Sequence, residues 1–346
     1  MSESAVTEEL TTLIRGFFSL PVLAALGRLG FFEGLADRTE ISPDDFPDIP
    51  NKKLLKHSLD YLSRLGLFET ASGPQETYKM TWLGGKIFQR TNSFFVPHSY
   101  HDYMENYYAQ LMSGDDEKGT VDRLENIIGS GKAHLRYFPH AVSYLKRRVK
   151  FERVVDVGCG DGHFLDFLLS SIPVKKAIGV DLSEIAVKET EQKLRTKYPD
   201  HEIEMILSDA SDVSHWGDKV LKICSGEQLI LSLWFLVHEI SLGDPQNAVR
   251  FLNQVHQRFP QAPLVMCEIV KHEASLIAKH RSSSIMPEYL FFHDISGQGV
   301  LSWKMYQEVL KSIPYELAHE RRFDEMTGED GVQDPSAFLW CLTPKS

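Results

Sequence analysis

The sequence is poor in cysteine: Cys159, Cys224, Cys267 and Cys341 are the only four in 346 residues. They are widely spaced, three lie in apolar stretches, and none forms a CxxC pair. That pattern excludes a disulfide framework and a cysteine zinc site, and it fits reduced thiols. Basic residues are also outnumbered, with 37 Lys+Arg against 48 Asp+Glu and a net charge of −11. Phosphate backbones need a net basic face, so nucleic acid is not an expected partner. No uninterrupted apolar run reaches about 18 residues, so no membrane span is expected. The opening segment lacks a basic start followed by an apolar core and a small-residue cleavage site. No secretory leader is therefore expected, and the cytoplasm is the expected compartment. No repeat or low-complexity segment is visible. What is present is an ordinary globular composition, 42% hydrophobic and 25% charged. Its length suits two domains at about 150 residues each.

The first part, residues 1–92, reads as mostly helical. Leu10, Leu13, Ile14, Phe17 and Phe18 recur at helical spacing, Pro21 is expected to break and restart the helix, and Leu23, Leu26 and Leu29 continue it. Lys52–Leu65 is a second amphipathic helix through Leu54, Leu55, Leu59, Leu62 and Leu65. Two short strands then flank the turn Ser72-Gly73-Pro74. Helix, helix and ribbon is the order of a winged helix. The second helix carries Lys52, Lys53, Lys56 and Arg64 but also Asp60. The acidic chain makes a homodimerisation domain the better reading, with a ligand-sensing DNA-binding regulator as the alternative. Residues 93–150 read as a helical linker rich in aromatics, among them Tyr100, Tyr103 and Tyr107, which serve either as core or as a pocket wall.

From residue 151 the pattern changes to short apolar runs alternating with amphipathic stretches: Arg153–Val157, Ala177–Val180, Ile203–Leu207, Gln228–Leu233 and Pro263–Ile269. That alternation predicts an α/β fold with a parallel sheet covered on both faces. The first strand runs into Asp156-Val157-Gly158-Cys159-Gly160-Asp161-Gly162 and then a helix, and Asp156 is the first of three strand-end carboxylates, with Asp181 and Asp209, expected to bind the ligand. Glycines there allow a tight turn and close approach of a ligand to the backbone. Asp181 ends the second strand, where a carboxylate can accept both hydroxyls of a ribose. Asp209 and Ala210 follow the third strand, beside an adenine amino group in the same scheme. A dinucleotide fingerprint would run GxGxxG with a pyrophosphate on the helix dipole. Here the spacing is GxGxG, and the acidic mouth suits a cationic ligand without phosphate.

These residues make 151–346 similar to the class I S-adenosylmethionine-dependent methyltransferases. The whole chain resembles the two-domain small-molecule methyltransferases with an N-terminal dimerising winged helix. The resemblance implies a Rossmann-like mixed seven-stranded sheet whose last strand, with Ser336–Leu342 as the candidate, is antiparallel. It also implies that Gly158, Gly160 and Gly162 hold the methionine side of the donor, Asp181 the ribose and Asp209 the adenine.

The fourth strand delivers His238-Glu239 to the strand carboxyl ends, where α/β crevices lie. Two chemistries compete. The plant-type O-methyltransferases carry a His-Asp pair at this place, with the His as general base. Here Glu239 replaces the Asp. Alternatively, His238, Glu239 and His293 form a two-His-one-carboxylate site for a divalent or trivalent metal, iron or zinc. That set resembles the metal-dependent 2-oxo acid C-methyltransferases, which methylate the carbon next to the ketone. The second reading is preferred for a 2-oxo acid, because that carbon is too weakly acidic for an unaided imidazole. Ser99, Tyr103 and Arg123 are the candidate substrate contacts. The aromatics suit a phenylpyruvate-like acceptor, and Asp102 and Glu105 suit a guanidinium such as that of 2-ketoarginine. His272, His280 and His319 read as surface residues.

Overall fold

The computed structural model describes residues 3–345 except 36, 37, 39, 72–76, 89, 91, 108–110, 113–119, 225–227, 280–284 and 328–332; for residues 3, 92, 93, 124 and 132 it describes the backbone alone. The chain divides into two compact units, residues 1–101 and 102–346.

The N-terminal unit contains α1 (Glu3–Arg28), β1 (Glu40–Ile41), α2 (Lys52–Arg64), β2 (Phe68–Ala71), β3 (Thr77–Met80), α3 (Trp82–Phe88) and α4 (Asn92–His98). The strands form an antiparallel sheet in the order β1-β3-β2. The expected turn at 72–74 lies outside the described residues. Helix α2 buries Leu55, Leu59 and Leu62 against Ile41, Phe68 and Tyr78. Its Asp60 accepts a 2.6 Å hydrogen bond from the Tyr78 hydroxyl and pairs with Lys56. Two of that helix's charges are thus engaged within the unit.

Helix α1 corrects the expected break at Pro21, which lies inside one continuous helix. A proline there costs a single backbone hydrogen bond and crowds the carbonyl four residues back. The rest of the helix continues because Leu23, Ala24 and Leu26 are buried beyond it. The N-terminal half of its apolar face is exposed, from Leu10 at 55% to Phe17 at 76%. By length and composition Ser4–Arg28 is apolar enough to cross a membrane. The expectation of no such segment followed from unbroken apolar runs, which Arg15 interrupts.

The C-terminal unit begins with the helices α5 (His101–Glu105, spanning the boundary), α6 (Arg123–His134) and α7 (Phe138–Arg148). The alternation then runs β4 (Arg153–Val157), α8 (His163–Leu169), β5 (Lys176–Asp181), α9 (Glu184–Lys197), β6 (Glu202–Leu207), α10 (Val213–Ile223), β7 (Leu229–Trp234), α11 (Val237–Ser241), α12 (Pro245–Arg258) and β8 (Leu264–Ile269). After α13 (Ala274–Lys279), α14 (Met286–Ser296) and α15 (Trp303–Ser312) come β9 (Tyr315–Phe323), the small ribbon β10 (Met326–Thr327) and β11 (Gln333–Asp334), and β12 (Ala337–Pro344).

Seven strands form one sheet in the order β6-β5-β4-β7-β8-β12-β9. Strands β4 to β8 are parallel, and β12 runs antiparallel to both its neighbours. β4 and β8 are buried along their whole length, which is why they read as continuous apolar runs rather than alternating ones. Phe338 and Trp340 of β12 pack with Trp303 and Tyr306 of α15, and Trp216 stacks on Phe259. The sheet order reverses at β4 and β7, whose first connections leave in opposite directions along the sheet. Ligand crevices form at such a switch, outside the strand carboxyl ends.

Candidate functional site

Gly158, Gly160 and Gly162 all adopt left-handed backbone, with φ of 73°, 52° and 73°. A Cβ at Gly158 would meet Leu236 Cδ1 at 3.1 Å, and one at Gly162 would meet Thr190 Cγ2 at 2.4 Å. The loop therefore needs glycine for conformation and for space. Asp181 fixes it from the next strand: its carboxylate accepts the Gly160 N–H and the Ser183 N–H, both at 2.8 Å. Leu182 beside it is 70% exposed. Asp209 accepts from the Ser211 N–H and hydroxyl, and the Ala210 carbonyl accepts from Trp216 Nε1. Asp156 and Asp181 thus lie in β4 and β5, and Asp209 follows the end of the adjacent β6. The cradle suits a nucleoside ligand: bare backbone at the loop and a carboxylate at the second strand. Asp181→Ala should weaken S-adenosylmethionine at least tenfold by calorimetry, about 1.4 kcal/mol. A chain that binds NAD instead would sink this assignment.

Asp156 differs from the others. It is 1% exposed in β4, and its Oδ1 accepts a 2.6 Å bond from the Ser232 hydroxyl on β7. Burial pushes its carboxyl up to about 7. It stands one residue before the end of β4, inside the sheet.

The turn after β7 carries the second part of the site. Phe235 holds a left-handed backbone, φ 53°, uncommon for a residue with a side chain. Its N–H is tied to the Cys267 carbonyl, and its ring stacks on the His134 imidazole with centroids 3.9 Å apart. Burial holds His134 down to about 3, so it is neutral. The turn aims α11 so that His238 is buried and Glu239 is exposed. Successive helical residues point about 100° apart, so this pair cannot share a direction.

The carboxylate that meets His238 is Glu268, which sequence reasoning missed. It is fully buried in β8; one oxygen accepts the Val237 N–H and the other accepts from His238 Nδ1 at 2.8 Å. The Tyr306 hydroxyl lies 3.4 Å from that second oxygen. Burial disfavours the imidazolium, but the adjacent Glu268 outweighs it and holds His238 above the ordinary histidine value. A signal for Glu268 was present: a single acid in the apolar run Leu264–Ile269, where a buried charge requires a partner.

His293, on α14, is also buried. Its ring meets that of His238 at 5.0 Å and stacks on Tyr289 at 4.1 Å. Its Nδ1 lies 2.6 Å from the Tyr289 carbonyl oxygen. A carbonyl only accepts, so Nδ1 carries the proton and Nε2 of the neutral ring is a lone pair. Burial and the field of His238 hold His293 down to about 3. The structure therefore brings His238 and His293 together. Glu239 does not join them: among the described residues, these three form no group whose ligand atoms all lie within 4.8 Å of one another.

Tyr103 is buried, its hydroxyl raised by burial and opposed by the nearby Arg123 charge. Arg123 itself is exposed. Asp102 accepts from the Thr120 backbone N–H and hydroxyl. Tyr107 meets Phe291 edge-on at 5.9 Å. Ser99 belongs to the N-terminal unit, where it is buried and donates to the Val96 carbonyl at 2.6 Å. His272 corrects the surface expectation: it is buried, with Nε2 3.2 Å from the Ser336 hydroxyl. His319 is half-buried against Tyr144, and His280 lies outside the described residues.

Residues 154–235 match the family described as a methyltransferase domain. No curated protein sequence matches the chain. The fold is shared with many solved structures. One is mitomycin 7-O-methyltransferase, at 12% identity and a TM-score of 0.61, covering 99% of this chain and 98% of that one. A second is an O-methyltransferase family protein from Burkholderia thailandensis, at 12% identity and a TM-score of 0.62, covering 98% of each chain. A third is human N-acetylserotonin methyltransferase, solved with S-adenosylmethionine, at 15% identity and a TM-score of 0.58, with full coverage of both chains.

Proposed function

We propose that this chain, which carries a class I S-adenosylmethionine-dependent methyltransferase domain, methylates a small 2-oxo acid at its β-carbon, with a metal ion held by His238 and His293. The observation that carries this reading is the pair of facing imidazoles, each with Nδ1 tethered: His238 to Glu268, His293 to the Tyr289 carbonyl. Tethering one ring nitrogen to a carboxylate or a carbonyl leaves the other as the ligand atom, which is how metal-binding histidines are generally held. The free Nε2 atoms of His238 and His293 are the proposed ligand positions, and imidazole suits both iron and zinc. Glu239 is the expected third ligand and is exposed on α11, so the fit rests on the histidines.

When bound, the metal would supply a Lewis acid that acidifies the carbon next to the ketone. The chain's residues do the rest. The glycine loop and Asp181 place the donor, whose sulfonium carries the methyl. Glu268 fixes the tautomer of His238. Holding donor and acceptor together can contribute about 7–11 kcal/mol. Arg123 and Tyr103 are the cation and hydroxyl proposed for the acceptor's carboxylate. Phenylpyruvate and 2-ketoarginine are the candidate acceptors. Metal analysis of the purified chain, with labelled donor and a panel of 2-oxo acids, tests this. Activity should vanish in EDTA and return with added metal, and full activity of the metal-free chain would end the proposal.

One observation favours a second reading. The His238–Glu268 pair is also the geometry of an oriented general base, which suits methylation of a hydroxyl. That activity would survive EDTA.

We also infer a homodimer through residues 1–90. The exposed row Leu10, Leu13, Ile14, Phe17 and Phe18 on α1 is the motive, because an apolar patch of that kind gains by burial against a second copy. Light scattering at micromolar concentration should give twice 39.4 kDa, and a clean monomer would refute the inference.

A further inference from the structure

We propose that the groove between α7 and the edge strand β9 is a second ligand site, one that takes a phosphate-bearing small molecule. Four residues of α7 at helical spacing, His140, Tyr144, Arg147 and Arg148, line one face of that helix. On β9 a register shift opposite Cys341 and Leu342 inserts Ala318 as an extra residue. The shift turns His319, Arg321 and Phe323 toward α7: Tyr144 stacks on His319 with centroids 5.0 Å apart and planes within 12°, and His140 packs on Phe323 at 5.2 Å. An open cavity of about 630 Å³ lies among Tyr144, Arg147, Arg148, Ala318 and His319.

The charges here are of one sign. Among the described residues, Arg147, Arg148 and Arg321 make no ion pair with a carboxylate, while Arg322, on the other face of β9, is paired with Glu320. Burial and the fields of Arg321 and His319 hold His140 below its ordinary value. In a chain of net charge −11, the two guanidiniums that line the cavity, Arg147 and Arg148, and Arg321 beside His140 lack the counter-charge that most of the molecule has in excess. Guanidinium forks match phosphate oxygens two at a time, and an outward face of the stacked Tyr144–His319 pair offers a surface for an attached planar group.

The groove is separate from the crevice. His319 pairs with Cys341, which pairs with Val265. Val265 lies three residues before Glu268 on β8, or about 10 Å toward the amino ends of the parallel strands.

Calorimetry of the full chain with inorganic phosphate and with phenyl phosphate, at low salt, tests the proposal. Both should bind saturably. Phenyl phosphate should bind more tightly, and Arg147→Gln/Arg148→Gln should weaken both at least tenfold while S-adenosylmethionine affinity stays within twofold. Absence of saturable binding, or binding undiminished in the double variant, overturns it.

Discussion

His238→Ala is expected to lower the rate roughly 10²–10⁴-fold, whichever acceptor the chain uses. His238 is the one group common to both chemistries. It is buried, its tautomer is set by Glu268 at 2.8 Å, and it sits where β7 opens into the crevice. His293→Ala then separates the chemistries. If the two imidazoles hold a metal, the variant loses the ion together with its activity, because a site left with one histidine binds a divalent ion poorly. If His238 acts as a base, His293→Ala keeps most of its rate. Single-turnover rates with labelled donor, alongside metal content, decide this. A His238→Ala chain that keeps more than a tenth of the rate would remove His238 from the mechanism altogether.

The second large effect is on stability. Asp156→Asn should stabilise the chain above pH 7. Burial raises the folded carboxyl from its ordinary 3.8 to about 7, so between those values the folded state holds a proton that the unfolded state has released. Stability of the wild type therefore falls as pH rises from about 4 to 7 and levels off beyond. Asparagine has no proton to lose, and its carbonyl oxygen can still accept the Ser232 bond. The gain at pH 8 has an upper bound of about 4 kcal/mol, from roughly three pH units at 1.36 kcal/mol each. Urea unfolding at pH 4, 6 and 8 should show the two chains converging at the lowest pH and diverging at the highest. Parallel curves across that range would show that Asp156 is ionised in the folded state without cost.

The parts of this fold that were legible share a cause. β4 and β8 are buried on both faces, so hydrophobicity alone marks them, and the three left-handed glycines mark the loop between β4 and α8. β9 was not legible because five of its nine residues, Glu316, His319, Glu320, Arg321 and Arg322, are charged or imidazole; an edge strand answers to solvent on its open side. Pro21 misled for a different reason: its local penalty is smaller than the burial gained by Leu23, Ala24 and Leu26 beyond it. At the site, His238 is legible because it follows the carboxyl end of a strand, where ligand crevices form; with 14 histidines in the chain, residue type alone does not single out His293. Adjacency in sequence points to Glu239, whereas the carboxylate hydrogen-bonded to His238 is Glu268, reached across the sheet. Contacts between strand neighbours leave no trace in local spacing, so Glu268 could be signalled only as a lone acid among apolar residues.

The position of β12 between β8 and β9 bears on how the chain is made. Residues 264–269 leave the ribosome well before residues 337–344 that will cover their edge. At about 5–20 residues per second, the interval is roughly 4–15 s. During it, β9 is already synthesised, and it runs in the same direction as β8 in the finished sheet. The growing chain must therefore leave a gap one strand wide between them, and closing that gap too early would leave β12 without its place. Until then the β8 edge is open to mispairing, a hazard of synthesis that the folded molecule no longer displays.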